Sequence, residues 1–128
     1  MKLSLWCNGQ RIGILDKIQS DQPWLYSNID YDDPTYGHKL EQITYFLFVV
    51  LEEDWGDFED DASEDREYQR RIESLGLQKE DLEIFQKYHW EIRIKDQKEK
   101  VIPHCFQDGF FGWRGPMRLP KQKFEENV

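Results

Sequence analysis

Residues 3–14 read Leu-Ser-Leu-Trp-Cys-Asn-Gly-Gln-Arg-Ile-Gly-Ile, and the Asn8-Gly9 dipeptide decides how the fold begins. A two-residue type I′ turn needs positive φ at both central positions, which Asn and Gly tolerate best. The flanking residues alternate, so a β-hairpin is expected, with Cys7 opposite Gln10, Leu5 opposite Ile12 and Leu3 opposite Ile14 on one face. Trp6 then faces Arg11 on the other side, within reach of a cation–π contact. Gly13 is expected opposite Ser4, where the missing side chain leaves space for something to lie across the sheet.

Downstream of the hairpin, Trp24 to Ile29 reads as a short third strand after Pro23, and Asp32 to Gly37 as a turn. From His38 to about Asp54 the spacing of Leu40, Ile43, Leu47, Val50 and Leu51 marks one helical face. The competing reading is a buried strand, because Ile43 to Leu51 is rich in β-branched and aromatic residues; length and a polar first turn favour the helix. A second helix is expected over Ser63–Leu75, with Ser63 as N-cap and Gly76 as the stop. Lys79 to Lys87 adds a short third.

The remainder returns to strands. Tyr88 to Lys95 alternates strictly, with Tyr88, Trp90, Ile92 and Ile94 on one face and His89, Glu91, Arg93 and Lys95 on the other. Asp96 to Lys100 reads as a polar turn, Val101 to Phe106 as a strand, Asp108-Gly109 as a turn and Phe110 to Arg114 as the last strand. The expected architecture is therefore α+β. A mostly antiparallel sheet, made of the N-terminal hairpin, a third strand and a C-terminal three-strand meander, is packed on one face by two or three helices. Residues 1–114 are expected to form one domain carrying an acidic loop at about 52–65, and residues 115–128 are expected to be a flexible tail.

This layout resembles a widespread group of small bacterial proteins that have no established activity. The residues that carry the resemblance are Gly9 and Gly13, Pro23-Trp24, Leu75-Gly76-Leu77 and Phe111-Gly112-Trp113-Arg114. The long acidic segment and the basic tail depart from that pattern. The resemblance implies the fold and assigns no catalytic or binding residue.

Length and charge exclude several classes. The 128 residues suffice for one ordinary core, and 15% aromatics argue against wholesale disorder. Lys and Arg number 17 against 26 Asp and Glu, a net charge of −9, so no direct nucleic-acid binding is expected. The longest nearly apolar run, 43–51, is about half of what a membrane-spanning helix needs, and the first residues hold too short an apolar stretch for a signal peptide. A cytoplasmic protein is the expectation, with Cys7 and Cys105 as reduced thiols.

Chemistry-bearing motifs are sparse. His104 and Cys105 are sequence neighbours, so on a strand they point to opposite faces and form no nucleophile–base pair unless Pro103 breaks the strand. His38, His89, His104 and the two cysteines match no zinc spacing, and an EF-hand starting at Asp57 fails at Ala62 and Tyr68. Phosphate-binding glycine loops are absent, and no metal or other cofactor is expected.

Charge distribution is the informative feature. Residues 1–65 hold 4 basic and 15 acidic side chains, while 66–128 hold 13 and 11. Glu52, Glu53, Asp54, Asp57, Glu59, Asp60, Asp61, Glu64 and Asp65 place nine acids within fourteen residues, with Trp55 and Phe58 among them. Such a block creates a field that speeds encounter with basic surfaces. The expectation is a non-enzymatic, immunity- or inhibitor-like protein that binds a basic protein partner through Asp54, Trp55, Asp57, Phe58, Glu59, Asp60 and Asp61. The bland alternative is a solvated loop whose aromatics fold back on the core. Two further readings are an enzyme with His104 or His89 in a cleft, and a self-associating homodimer in which Arg114, Arg118, Lys121 or Lys123 reaches the acidic loop of a second copy. Among the aromatics near the C-terminus, Phe110 and Phe111 must point to opposite faces.

Overall fold

A computed structural model of the chain describes residues 3–21 and 23–114; the expected tail, with Arg118, Lys121 and Lys123, lies outside them. Among the described residues seven strands form one antiparallel sheet: β1 (Leu3–Cys7), β2 (Gln10–Asp21), β3 (Trp24–Tyr31), β4 (Trp90–Ile94), β5 (Gln97–Val101), β6 (Pro103–Gln107) and β7 (Phe110–Arg114). Between β3 and β4 lie α1 (Pro34–Tyr45), which continues as a π-helical turn over Phe46–Val50, then α2 (Asp61–Ser74), a 3-10 turn (Lys79–Glu83) and α3 (Ile84–Lys87). The α+β class and the helical cover on one face are as expected.

The hairpin turn is as read. Asn8 and Gly9 have φ of 50° and 82°, and Asp108-Gly109 repeats the geometry with 53° and 79°. Cys7 pairs with Gln10 and Trp6 with Arg11, but a bulge then shifts the register, so that Leu5 meets Gly13, Ser4 meets Ile14 and Leu3 meets Leu15. The extra residue keeps Ile12 buried and brings Leu15, rather than Ile14, into the core. Gly13 is needed for a close backbone approach: a Cβ there would stand 2.5 Å from the Asp30 carbonyl oxygen of β3.

The expected turn at Asp32–Gly37 instead opens a helix. Asp33 is the N-cap of α1, its Oδ1 accepting from Thr35 N at 3.0 Å, and Pro34 occupies the first helical turn. The N-cap of α2 is Asp60, three residues before Ser63, whose backbone N–H it accepts at 2.8 Å.

The C-terminal strands do not form one meander. The strand order is β5-β4-β1-β2-β3-β7-β6, so β4 and β5 extend the sheet beside β1, whereas β6 and β7 extend it beside β3. The expected turn at Asp96–Lys100 is mostly strand β5, and the break falls at Ile102. A single residue thus joins the two outermost strands. Val101 and Pro103 stand at most about 7 Å apart, so the staggered sheet must coil until its edges meet at that point, giving a half-barrel. Its inner face is lined by Leu3, Leu5, Leu15, Ile29, Trp90, Ile92, Phe106, Phe111 and Trp113. Leu40, Ile43, Phe46 and Ile72 from the helices complete the core. Phe111 is buried and Phe110 exposed, as the alternation requires. Among the described residues, no helix is long and apolar enough to cross a membrane.

Candidate functional site

The acidic segment begins within the helical turn that ends α1. Glu52 N donates to the Val49 carbonyl and Glu53 N to that of Val50, both at 3.2 Å. Trp55 then turns inward: its Nε1 donates to the Val50 carbonyl at 2.9 Å, and its ring lies 6.1 Å from Tyr68 of α2. The guanidinium of Arg71 sits over the indole at 4.5 Å and also bonds Glu53 Oε2 at 3.2 Å. Trp55 therefore tethers the segment to the body of the protein.

The acids sort by what their carboxylates already do. Asp54 accepts from Gly56 N at 2.9 Å, closing a turn in which Gly56 has φ of 81°. Asp60 caps α2, and Ser63, through its side chain first and its backbone N–H second, holds the Asp60 carboxyl below the usual range. Glu67, on the same helix, is held down to about 2 by Arg70 and Arg71. Glu52, Asp57, Glu59, Asp61, Glu64 and Asp65 are exposed and make no ion pair among the described residues. Asp61 and Glu64 lie in the first turn of α2, where negative charge is favourable. The result is a tethered ridge of carboxylates with no cationic partner among the described residues. Phe58 sits within it, half-buried.

A second feature lies at the other end of α1, where the β1–β2 hairpin meets the start of the helix. A cleft of about 640 Å³ is lined by Cys7, Asn8, Gln10, Arg11, Ile12, Asp32, Asp33, Tyr36 and Tyr88. Arg11 is not on Trp6 as expected; it forks onto Asp32 at 2.6 and 3.1 Å, and Arg93 takes its place over the Trp6 ring at 3.8 Å. That exchange follows from β4 lying next to β1, a pairing between residues far apart in the chain. Burial pushes Tyr36 up to about 12, with Cys7, Tyr88 and Asp81 adding to the shift. Burial likewise pushes the Cys7 thiol up to about 11.

Both groups are therefore protonated at neutral pH, and neither lining group serves as a ready nucleophile or base. The raised thiol predicts that alkylation of Cys7 by iodoacetamide at pH 8 is about 100-fold slower in the folded chain than in urea. Site-resolved mass spectrometry checks this, and equal rates would show that the thiol is not desolvated. Because the folded value lies above the unfolded one, the stability this thiol contributes is full below about pH 9. It is lost as the pH rises towards 11.

The histidines do not line this cleft. His89 is exposed, 3.8 Å from Glu91. His104 is stacked on Trp24 with centroids 4.1 Å apart and lies 5.0 Å from Phe48, and burial lowers its basicity. Cys7 and Cys105 are both free thiols. Among the described residues no group of His, Cys, Asp and Glu converges as a metal site.

Sequence reasoning missed the surface formed by the end of α1. Tyr45, Phe48, Val49 and Leu51 are each 40–45% exposed, although they belong to a run that reads as core. No family model, curated protein or solved structure matches this chain.

Proposed function

We propose that the protein is a small interaction module that engages a basic protein through its acidic ridge, in the manner of an immunity or inhibitor protein. The observation that supports this reading most is the ridge of carboxylates that have no cationic partner among the described residues, tethered by Trp55 instead of trailing in solvent. Unpaired like charges held on a folded surface repel one another, and a cationic partner relieves that repulsion. The aromatic at position 55 acts as the internal clamp, so the contacting set is Asp57, Glu59 and Asp61 with Glu52, Glu64 and Asp65 around them.

The test is affinity capture from native lysate with wild type and with Asp57→Asn/Glu59→Gln/Asp61→Asn, at low and high salt. Asp60 is left in place because its loss would uncap α2 at a cost of about 1 kcal/mol. The expected result is one basic protein retained by wild type and released by salt, whose association with the variant is slowed about tenfold or more at low salt. Unchanged association at low salt, or no specific capture by wild type, would sink the reading.

A further inference from the structure

We propose that the apolar turn closing α1 is the anchoring half of this interface, and that the partner presents a surface both basic and apolar. This rests on the acidic-ridge reading and adds the part of the surface that holds the partner once charge has brought it in.

Four observations lead there. The π-helical turn is closed by Leu51 N donating to the Phe46 carbonyl at 3.0 Å. Phe46 and Val50, one helical turn apart, point into the core with Ile43, and Tyr45, Phe48, Val49 and Leu51 are left outside. Phe48 is also not isolated. Its ring meets His104 on edge strand β6, and His104 stacks on Trp24 of β3, so a row of rings runs from the helix across the sheet edge.

The acids begin where the apolar residues stop, Leu51 being followed directly by Glu52 and Glu53. An apolar centre beside a charged rim is the usual anatomy of a protein interface. Finally, the charge selects the occupant. A symmetric contact with a second copy would bring two acidic ridges of a chain with net charge −9 together, and like charges across an interface are unfavourable. A basic partner with an apolar patch meets both halves.

Two synthetic peptides of equal charge separate the parts: oligolysine, and an amphipathic Lys/Leu peptide. Binding is followed at low salt on ¹⁵N-labelled protein. The amphipathic peptide is expected to bind about 10- to 100-fold tighter and to shift the amides of 45–51 and 104. Phe48→Ser with Val49→Ser removes that excess and leaves oligolysine affinity and its salt dependence unchanged; both side chains are exposed, so the fold tolerates the change. The Asp57/Glu59/Asp61 variant weakens both peptides.

Equal affinity for the two peptides, or no effect of the Phe48/Val49 variant, would overturn the anchor while leaving the acidic ridge standing. Binding of neither peptide would remove both. A concentration-dependent dimer of the free protein that Phe48→Ser abolishes would assign the turn to self-association and overturn the proposal.

Discussion

Phe106→Ala is expected to lower the unfolding free energy by about 3–5 kcal/mol and the midpoint temperature by roughly 10–20 °C. Phe106 is fully buried on β6, and its ring meets four others: Tyr31 of β3 at 6.5 Å, Phe111 of β7 at 4.8 Å, Trp90 of β4 at 5.6 Å and Phe85 of α3 at 5.3 Å. Those neighbours come from both halves of the sheet and from the helical layer. They converge only because the half-barrel coils β6 round towards β4. Truncation to Ala leaves a cavity walled by large, interlocked rings that cannot collapse cheaply, which places the cost towards the upper end of the range. Phe110→Ala, four residues away but half-exposed, is expected to shift stability by no more than about 0.5 kcal/mol. Urea denaturation of both variants checks the pair. If Phe106→Ala cost no more than Phe110→Ala, the ring would not sit at the junction of the coiled sheet.

The part of this fold that is legible in sequence is the part governed by neighbours along the chain. Asn8-Gly9 and Asp108-Gly109 announce their turns because positive φ at two successive positions is tolerated by few residue pairs. The helix over 43–51 is legible from its apolar spacing. Its start is not, because Asp33-Pro34 reads equally well as turn chemistry and as N-cap and first helical turn. Strand β5 escapes notice for a physical reason: its inward positions are Gln97 and Glu99 as well as Val101, so an edge strand at the rim shows no apolar alternation. The split of the C-terminal strands to opposite sides of the sheet depends on pairings such as Trp6 with Glu91 and Leu25 with Trp113, which no local pattern encodes.

The candidate site divides in the same way. The acidic block is plain from composition, since nine acids in fourteen residues need no structure to be seen. The direction of Trp55 is hidden, because an aromatic among acids serves equally well as an outward anchor or an inward tether. Tyr68 and Arg71 decide it from α2. The apolar turn is hidden for the opposite reason. Every residue from Phe46 to Val50 is apolar, so spacing points to Leu47, Val50 and Leu51 as the inner face, whereas Phe46 and Val50 are buried and Leu51 is exposed.

Thr44→Val is expected to cost about 1–3 kcal/mol although it keeps the shape of the side chain. Thr44 lies buried on α1, where its Oγ1 accepts the backbone N–H of Phe106 at 2.9 Å and donates to the Leu40 carbonyl at 3.1 Å. The first bond matters most. β6 is an edge strand, and α1 covers that edge in place of another strand. The Phe106 amide is thus a buried donor whose partner is a side chain, and valine leaves it unpaired. Thr44→Ser keeps the hydroxyl and loses one methyl group, at about 1 kcal/mol. The expected order of stability is therefore wild type, Ser, then Val. Hydrogen exchange supplies the site-resolved check: the Phe106 amide should exchange faster in the Val variant and stay close to wild type in the Ser variant. If Ser proved worse than Val, the position would act through packing alone, and the edge of β6 would need another partner. If the order holds, α1 closes the seam of the half-barrel by a hydrogen bond as well as by its apolar face. That bond also holds the last turn of α1, which leads into Phe48 and the start of the acidic segment, so the proposed interface would depend on the same contact that completes the fold.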